Sequence, residues 1–98
     1  MNQASTASKQ QKAFYRKLFI AHQIDTETHN LLSLHQLTNM PRRTLQDSIA
    51  AFSDLGIECE FVQEGVRNNA GYYKINDWGP INSLWVNEYI DEIKLILT

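Results

Sequence analysis

A single cysteine, Cys59, rules out a disulfide within this 98-residue chain. No apolar run approaches the 18 or so residues that a membrane helix needs. The first eight residues, MNQASTAS, have no apolar core of the kind a secretory signal carries. Together these absences set the expectation of a reducing, cytoplasmic setting. No glycine-rich loop is present to cradle a phosphate, and no Ser/His/Asp, Cys/His or paired-acid set stands in a recognisable frame, so no enzyme is expected. His22, His29 and His35 are neither paired with cysteine nor spaced as ligands on one helix face, so neither a metal nor a cofactor is expected.

Charge of either sign is also scarce in sum, at −2, but it is unevenly placed. Residues 1–50 hold six Lys/Arg and three Asp/Glu, whereas residues 51–98 hold three and eight. Such polarity between halves hints at a charged partner, and it equally suits a domain with an acidic solvent face. Apolar residues make up 43% and charged residues 20%, which fits one soluble domain with a modest core.

Along the chain, residues 1–8 read as a flexible terminus and residues 9–98 as one domain. Ser8 is placed to cap a first helix over about Lys9–His22, with Ala13, Phe14, Leu18 and Ala21 inward and Lys9, Lys12, Arg16 and Lys17 mainly outside. Leu31–Leu34 reads as a short extended segment, followed by a short helix to Asn39 with Leu34 and Leu37 inward. Pro41 suits the first position of a third helix that runs to Leu55 and stops at Gly56. Ile57, Cys59 and Phe61 then alternate with Glu58 and Glu60, and Tyr73 and Ile75 with Lys74 and Asn76, the pattern of a hairpin over residues 57–77. A last helix is expected over residues 80–97.

Residues 34–56, LHQLTNMPRRTLQDSIAAFSDLG, supply a short helix, a tight turn and a longer helix in that order, the parts of a helix-turn-helix. Leu45, Ile49, Phe52 and Leu55 fall on one face of the longer helix, leaving Arg43, Asp47, Ala50 and Asp54 opposite. A helix in the major groove offers its N-terminal residues to base edges, here Arg42, Arg43, Thr44, Gln46 and Asp47. Arginine can grip guanine with two bonds, glutamine adenine, and aspartate can accept from cytosine. Taken alone, RRTLQD is also what an ordinary solvated helix face looks like, with Arg43 and Asp47 as a surface ion pair.

The stretch from Leu34 through the hairpin to Asp77 resembles the core of bacterial winged helix-turn-helix domains, where a recognition helix ending in L-G-I runs straight into a two-stranded wing. With INDWGPI and the last helix included, about residues 10–97 are similar to a small family of bacterial winged-helix DNA-binding proteins. The resemblance implies an α+β winged helix-turn-helix: three N-terminal helices, a β-hairpin wing and a C-terminal helix. It makes Pro41–Leu55 the recognition helix and residues 65–71 the wing tip, with Arg67, Asn68 and Asn69 touching phosphates or the minor groove and Lys74 adding a phosphate contact. Lys12 and Arg16 are expected to contribute further backbone contacts. The acids Glu58, Glu60 and Glu64 on the wing strands depart from that picture.

The last helix carries more apolar residues than a small core uses, so it is expected to meet a second copy as well as the first helix, with Trp85, Tyr89, Ile93 and Ile96 at a homodimer interface. The expectation is a sequence-specific regulator that binds double-stranded DNA. Winged helices also serve as protein-interaction modules, and the acidic hairpin and apolar last helix keep that alternative open.

Overall fold

The computed structural model describes residues 7–66 and 70–98. Arg67, Asn68 and Asn69 therefore lie outside the described residues, as does most of the expected flexible terminus. Helix α1 spans Lys9–Thr26, and the Ser8 hydroxyl accepts the Gln11 amide at 3.0 Å to cap it. It runs a turn past the expected end because Gln23 and Ile24 face the interior.

Helix α2 spans Leu31–Thr38, so residues 31–34 form its first turn and not an extended segment. The cause is a reciprocal cap. Asn30 Oδ1 accepts the Ser33 amide at 2.8 Å, while Ser33 Oγ accepts the Asn30 amide at 2.9 Å. Leu34 is fully buried, but Leu37, also expected inward, is 53% exposed. Asn39 closes the helix in the left-handed region at φ 58°.

Helix α3 covers Arg42–Ala50, with Pro41 at the cap and not at the first helical position. The Pro41 carbonyl accepts the Leu45 amide at 3.1 Å, and the amide that proline lacks is not missed at either place. Beyond Ala50 the chain tightens into a 3₁₀ turn, Ala51–Leu55, so the expected single helix to Leu55 is two segments. Gly56 ends it at φ +81°.

Strands β1 (Glu58–Gln63) and β2 (Gly71–Asp77) pair antiparallel, with Cys59 opposite Ile75 and Phe61 opposite Tyr73. The far edge of β2 is tied down as well. The Tyr73 amide donates to the His29 carbonyl at 2.8 Å, joining the hairpin to the loop between α1 and α2.

The expected last helix is two: α4 (Ser83–Glu88) and α5 (Ile90–Leu97), bent at Tyr89. It starts three residues later than expected. Asp77 Oδ1 captures the Gly79 amide and turns the chain first, and Asn82 then caps α4 by accepting the Leu84 and Trp85 amides.

The larger core group joins Ile20, Leu34, Leu45, Phe52, Ile57 and Ile75 under the helix-turn-helix and hairpin. The smaller joins Leu18 of α1 to Val86 and Ile93 of α4 and α5. Phe19, Trp78 and Ile81 pack against both groups. Each such large aliphatic or aromatic side chain contributes about 1.5–3 kcal/mol by leaving water. Ile93 is only 1% exposed, which corrects its assignment to a dimer surface: its side chain is already used inside its own chain. Trp85 stands beside Tyr89, ring centroids 4.9 Å apart.

Candidate nucleic-acid interface

The turn between α2 and α3 is held by side chains of the short helix. His35 Nδ1 lies 2.7 Å from the Met40 carbonyl oxygen, which can only accept, so Nδ1 carries the proton and donates. Thr38 Oγ1 donates to the Leu34 carbonyl at 2.7 Å and accepts the Met40 amide at 3.2 Å. These bonds satisfy the groups freed where α2 ends and fix the angle at which α3 leaves.

Helix α3 buries Leu45 and Ser48 and leaves Arg42, Arg43, Gln46, Asp47 and Ala50 exposed, with Thr44 half-buried. The expected base-reading residues thus share the outer side of one helix, except that Thr44 turns partly toward α1. Arg43 Nε lies 3.3 Å from Asp47 Oδ1 across one turn, with 84% and 67% of the two side chains exposed. Such a pair adds only tenths of a kcal/mol to the helix.

Arg16 and Lys17 of α1 border a shallow recess with Thr44, Asp47, Ser48 and Ala51 of the α3 segment. The structure therefore brings Arg16 next to α3. Lys12, one turn earlier on α1, is half-buried. Lys17, expected mainly outside, borders the same recess but is half-buried. Its ammonium reaches back to the Ala13 carbonyl at 3.4 Å.

Lys74 is exposed on β2 but borders a different recess, with the last turn of α1 and the two residues after it, 24–28. It is not brought together with Arg16 and α3. Glu58, Glu60 and Glu64 are exposed along the wing, and Glu60 accepts a hydrogen bond from the Asn76 amide group across the strands. Cys59 between them is half-buried, and burial pushes its thiol up to about 11. A thiol held protonated in this way is a poor nucleophile.

Among the described residues, no group of three or more His, Cys, Asp or Glu is arranged to hold a metal ion, and no helix is long and apolar enough to cross a membrane.

No match was found among curated proteins. Among solved structures, the chain is similar to a DUF2131 family protein from Shewanella amazonensis, at 63% identity over 93% of this chain and 94% of that one, with a TM-score of 0.87. Residues 9–97 match the winged helix-turn-helix family. That match takes in every helix and the hairpin just described, and the chain belongs to the winged helix-turn-helix family.

Proposed function

We propose that the protein binds double-stranded DNA by sequence and acts in the cytoplasm as a transcriptional regulator without catalysing a reaction. Helix α3 enters the major groove, where Arg42, Arg43, Thr44, Gln46 and Asp47 read base edges. Arg16 and Lys12 hold phosphates beside it, and the wing, through Lys74 and the tip residues Arg67, Asn68 and Asn69, takes backbone or minor-groove contacts. A two-fold homodimer through α4 and α5, by way of Trp85, Tyr89 and Ile96, would set two recognition helices roughly 34–36 Å apart, one turn of DNA.

One observation carries this reading: four polar or charged side chains at the start of α3 stand exposed while its opposite side is sealed into the core. The test is electrophoretic mobility of random-sequence duplex with purified protein at low salt, followed by selection of bound duplexes from a random pool. Retardation that fades steeply with salt, and a recovered consensus, support it.

A second reading has its own support. Leu84, Trp85 and Tyr89 are 78%, 40% and 39% exposed on one short helix and its end, a surface suited to another polypeptide. On that reading the winged helix is an assembly module. No shift at micromolar protein, with a stable complex formed with a second protein, would select it.

A further inference from the structure

We propose that the groove between α1, the helix-turn-helix turn and α5 is a site for a small amphipathic carboxylate, an anionic head on an apolar body. The groove has a volume of about 360 Å³, at the lower end of the range for small-molecule sites. Its walls are the Phe19 ring, Leu37, Met40 and Leu97, brought from three separate helices and the turn. Leu37 is the residue that the sequence pattern sends inward and the fold leaves 53% exposed, so the groove has an apolar wall that the described residues leave open.

The polar side is equally specific. Thr38 Oγ1 already serves Leu34 and Met40, and Thr98 Oγ1 donates to the Leu95 carbonyl at 3.0 Å. Among the described residues that line the groove, Lys94 is the one charged side chain, its ammonium 6.0 Å from the centre of the Phe19 ring. Among the described residues it has no carboxylate partner, although Asp91 and Glu92 precede it on the same helix. An ammonium beside an aromatic face and an aliphatic wall complements an anion with an apolar tail. The Gln23 side chain, 7% exposed, adds a neutral polar contact at the groove floor.

The site also has a consequence for α3. Thr38 and Met40, which fix the turn, form one wall, and Lys94 and Leu97 of α5 form the other. A bound molecule spans the two and biases the turn's position, which makes it an effector. That consequence rests on the DNA-binding reading; occupancy of the groove does not.

The test uses the full chain without DNA, titrated with decanoate and separately with decanol while amide spectra are recorded. The expected result is saturable shifts at Phe19, Thr38, Met40 and Lys94, with decanoate at least about tenfold tighter than decanol, as a charge-assisted contact requires. Lys94→Gln, whose fold is verified from the same spectra, should bring decanoate to the level of decanol. Equal affinities for the two probes, shifts confined to other surfaces, or no saturable shift at millimolar decanoate would each overturn the proposal. Since no duplex is present, this outcome and that of the mobility experiment stand apart.

Discussion

Arg43 and Asp47 meet across one turn of α3, Nε to Oδ1 at 3.3 Å, with both side chains largely in solvent. Exposed pairs of this kind contribute little to stability. Asp47→Ala should therefore change the unfolding free energy by less than about 0.5 kcal/mol. Arg43→Ala should be equally mild for folding, yet flatten sequence preference, since a matched arginine–guanine contact is worth about 1–3 kcal/mol. Parallel urea unfolding and duplex titrations against a selected and a scrambled site measure both. If Arg43→Ala weakened all duplexes alike, the residue would be a phosphate contact and not a base reader.

Leu34 and Leu37 stand one turn apart on α2 with opposite fates, fully buried against 53% exposed. Leu34→Ala should cost about 2–5 kcal/mol, because it empties a site packed against the core group that contains Leu45 and Phe52. Leu37→Ala should cost under about 0.5 kcal/mol, as surface substitutions do. Denaturant midpoints at constant slope measure the difference. Similar costs would mean that Leu37 is covered in solution, for example by a second chain.

Those two residues also mark how far the sequence could be followed. The break at Pro41, the periodic face Leu45–Phe52 and the alternation around Cys59 and Ile75 were legible because each records a local rule: a cap, a helix stripe, a pleat. Leu37 was misread because an eight-residue helix turns only one residue firmly into the core, and spacing alone cannot say which. The bend at Tyr89 was invisible for a related reason. Val86 and Ile93 are seven apart and keep one stripe straight through it, with no proline or glycine to mark the place. At the candidate site, Arg42 to Asp47 could be named from their place just after a capped start. The position of Arg16 beside Thr44 depends on how α1 crosses α3, which no local pattern encodes.

Gly79 and Gly56 pass backbone to backbone where the hairpin returns to the end of the α3 segment. A Cβ on Gly79 would sit 2.1 Å from the Gly56 carbonyl oxygen, and φ there is +61°. Neither atom can yield as a flexible side chain would. Gly79→Ala should accordingly cost about 1–3 kcal/mol or more, combining a left-handed backbone with a clash. Thermal unfolding of the variant checks this; a near-neutral result would show that the two segments separate freely.

Alkaline pH should loosen the hairpin. Cys59 titrates at about 11 in the fold against 9.0 ordinarily, chiefly through burial. Tyr73 is raised above 10.0, by burial first and by the Cys59 charge second. Both groups are neutral when protonated, and the fold favours that form. Their contribution is therefore complete below pH 9 and fades as pH rises toward 11 for the thiol, with the phenol adding its loss above pH 10. Stability measured from pH 8 to 11 should fall more steeply in the native sequence than in Cys59→Ala, after subtracting their offset at pH 8. Equal slopes would show that the thiol is as solvated in the fold as in the unfolded chain. The same protonation makes iodoacetamide slow to label Cys59 at pH 8.

Trp85 and Tyr89, ring centroids 4.9 Å apart, remain about 40% and 39% exposed beside a Leu84 that is 78% exposed. With Ile93 drawn into the core, a two-fold contact through α4 and α5 would use these three side chains together with Leu95, which is 65% exposed, and the half-buried Ile96. Paired aromatics at the centre of an interface dominate its energy, so Trp85→Ala with Tyr89→Ala should abolish association while sparing the fold, whose buried residue on α4 is Val86. Sedimentation equilibrium should give about twice the 11.3 kDa chain mass for the native protein, as a dimer requires, and 11.3 kDa for the double variant. On a palindromic duplex the variant should also lose affinity far more than on a single half-site, since linked binding of two modules multiplies affinity by effective concentration. A native protein that sediments as a monomer and binds half-site and palindrome equally would remove the dimer and leave these aromatics free for a different polypeptide.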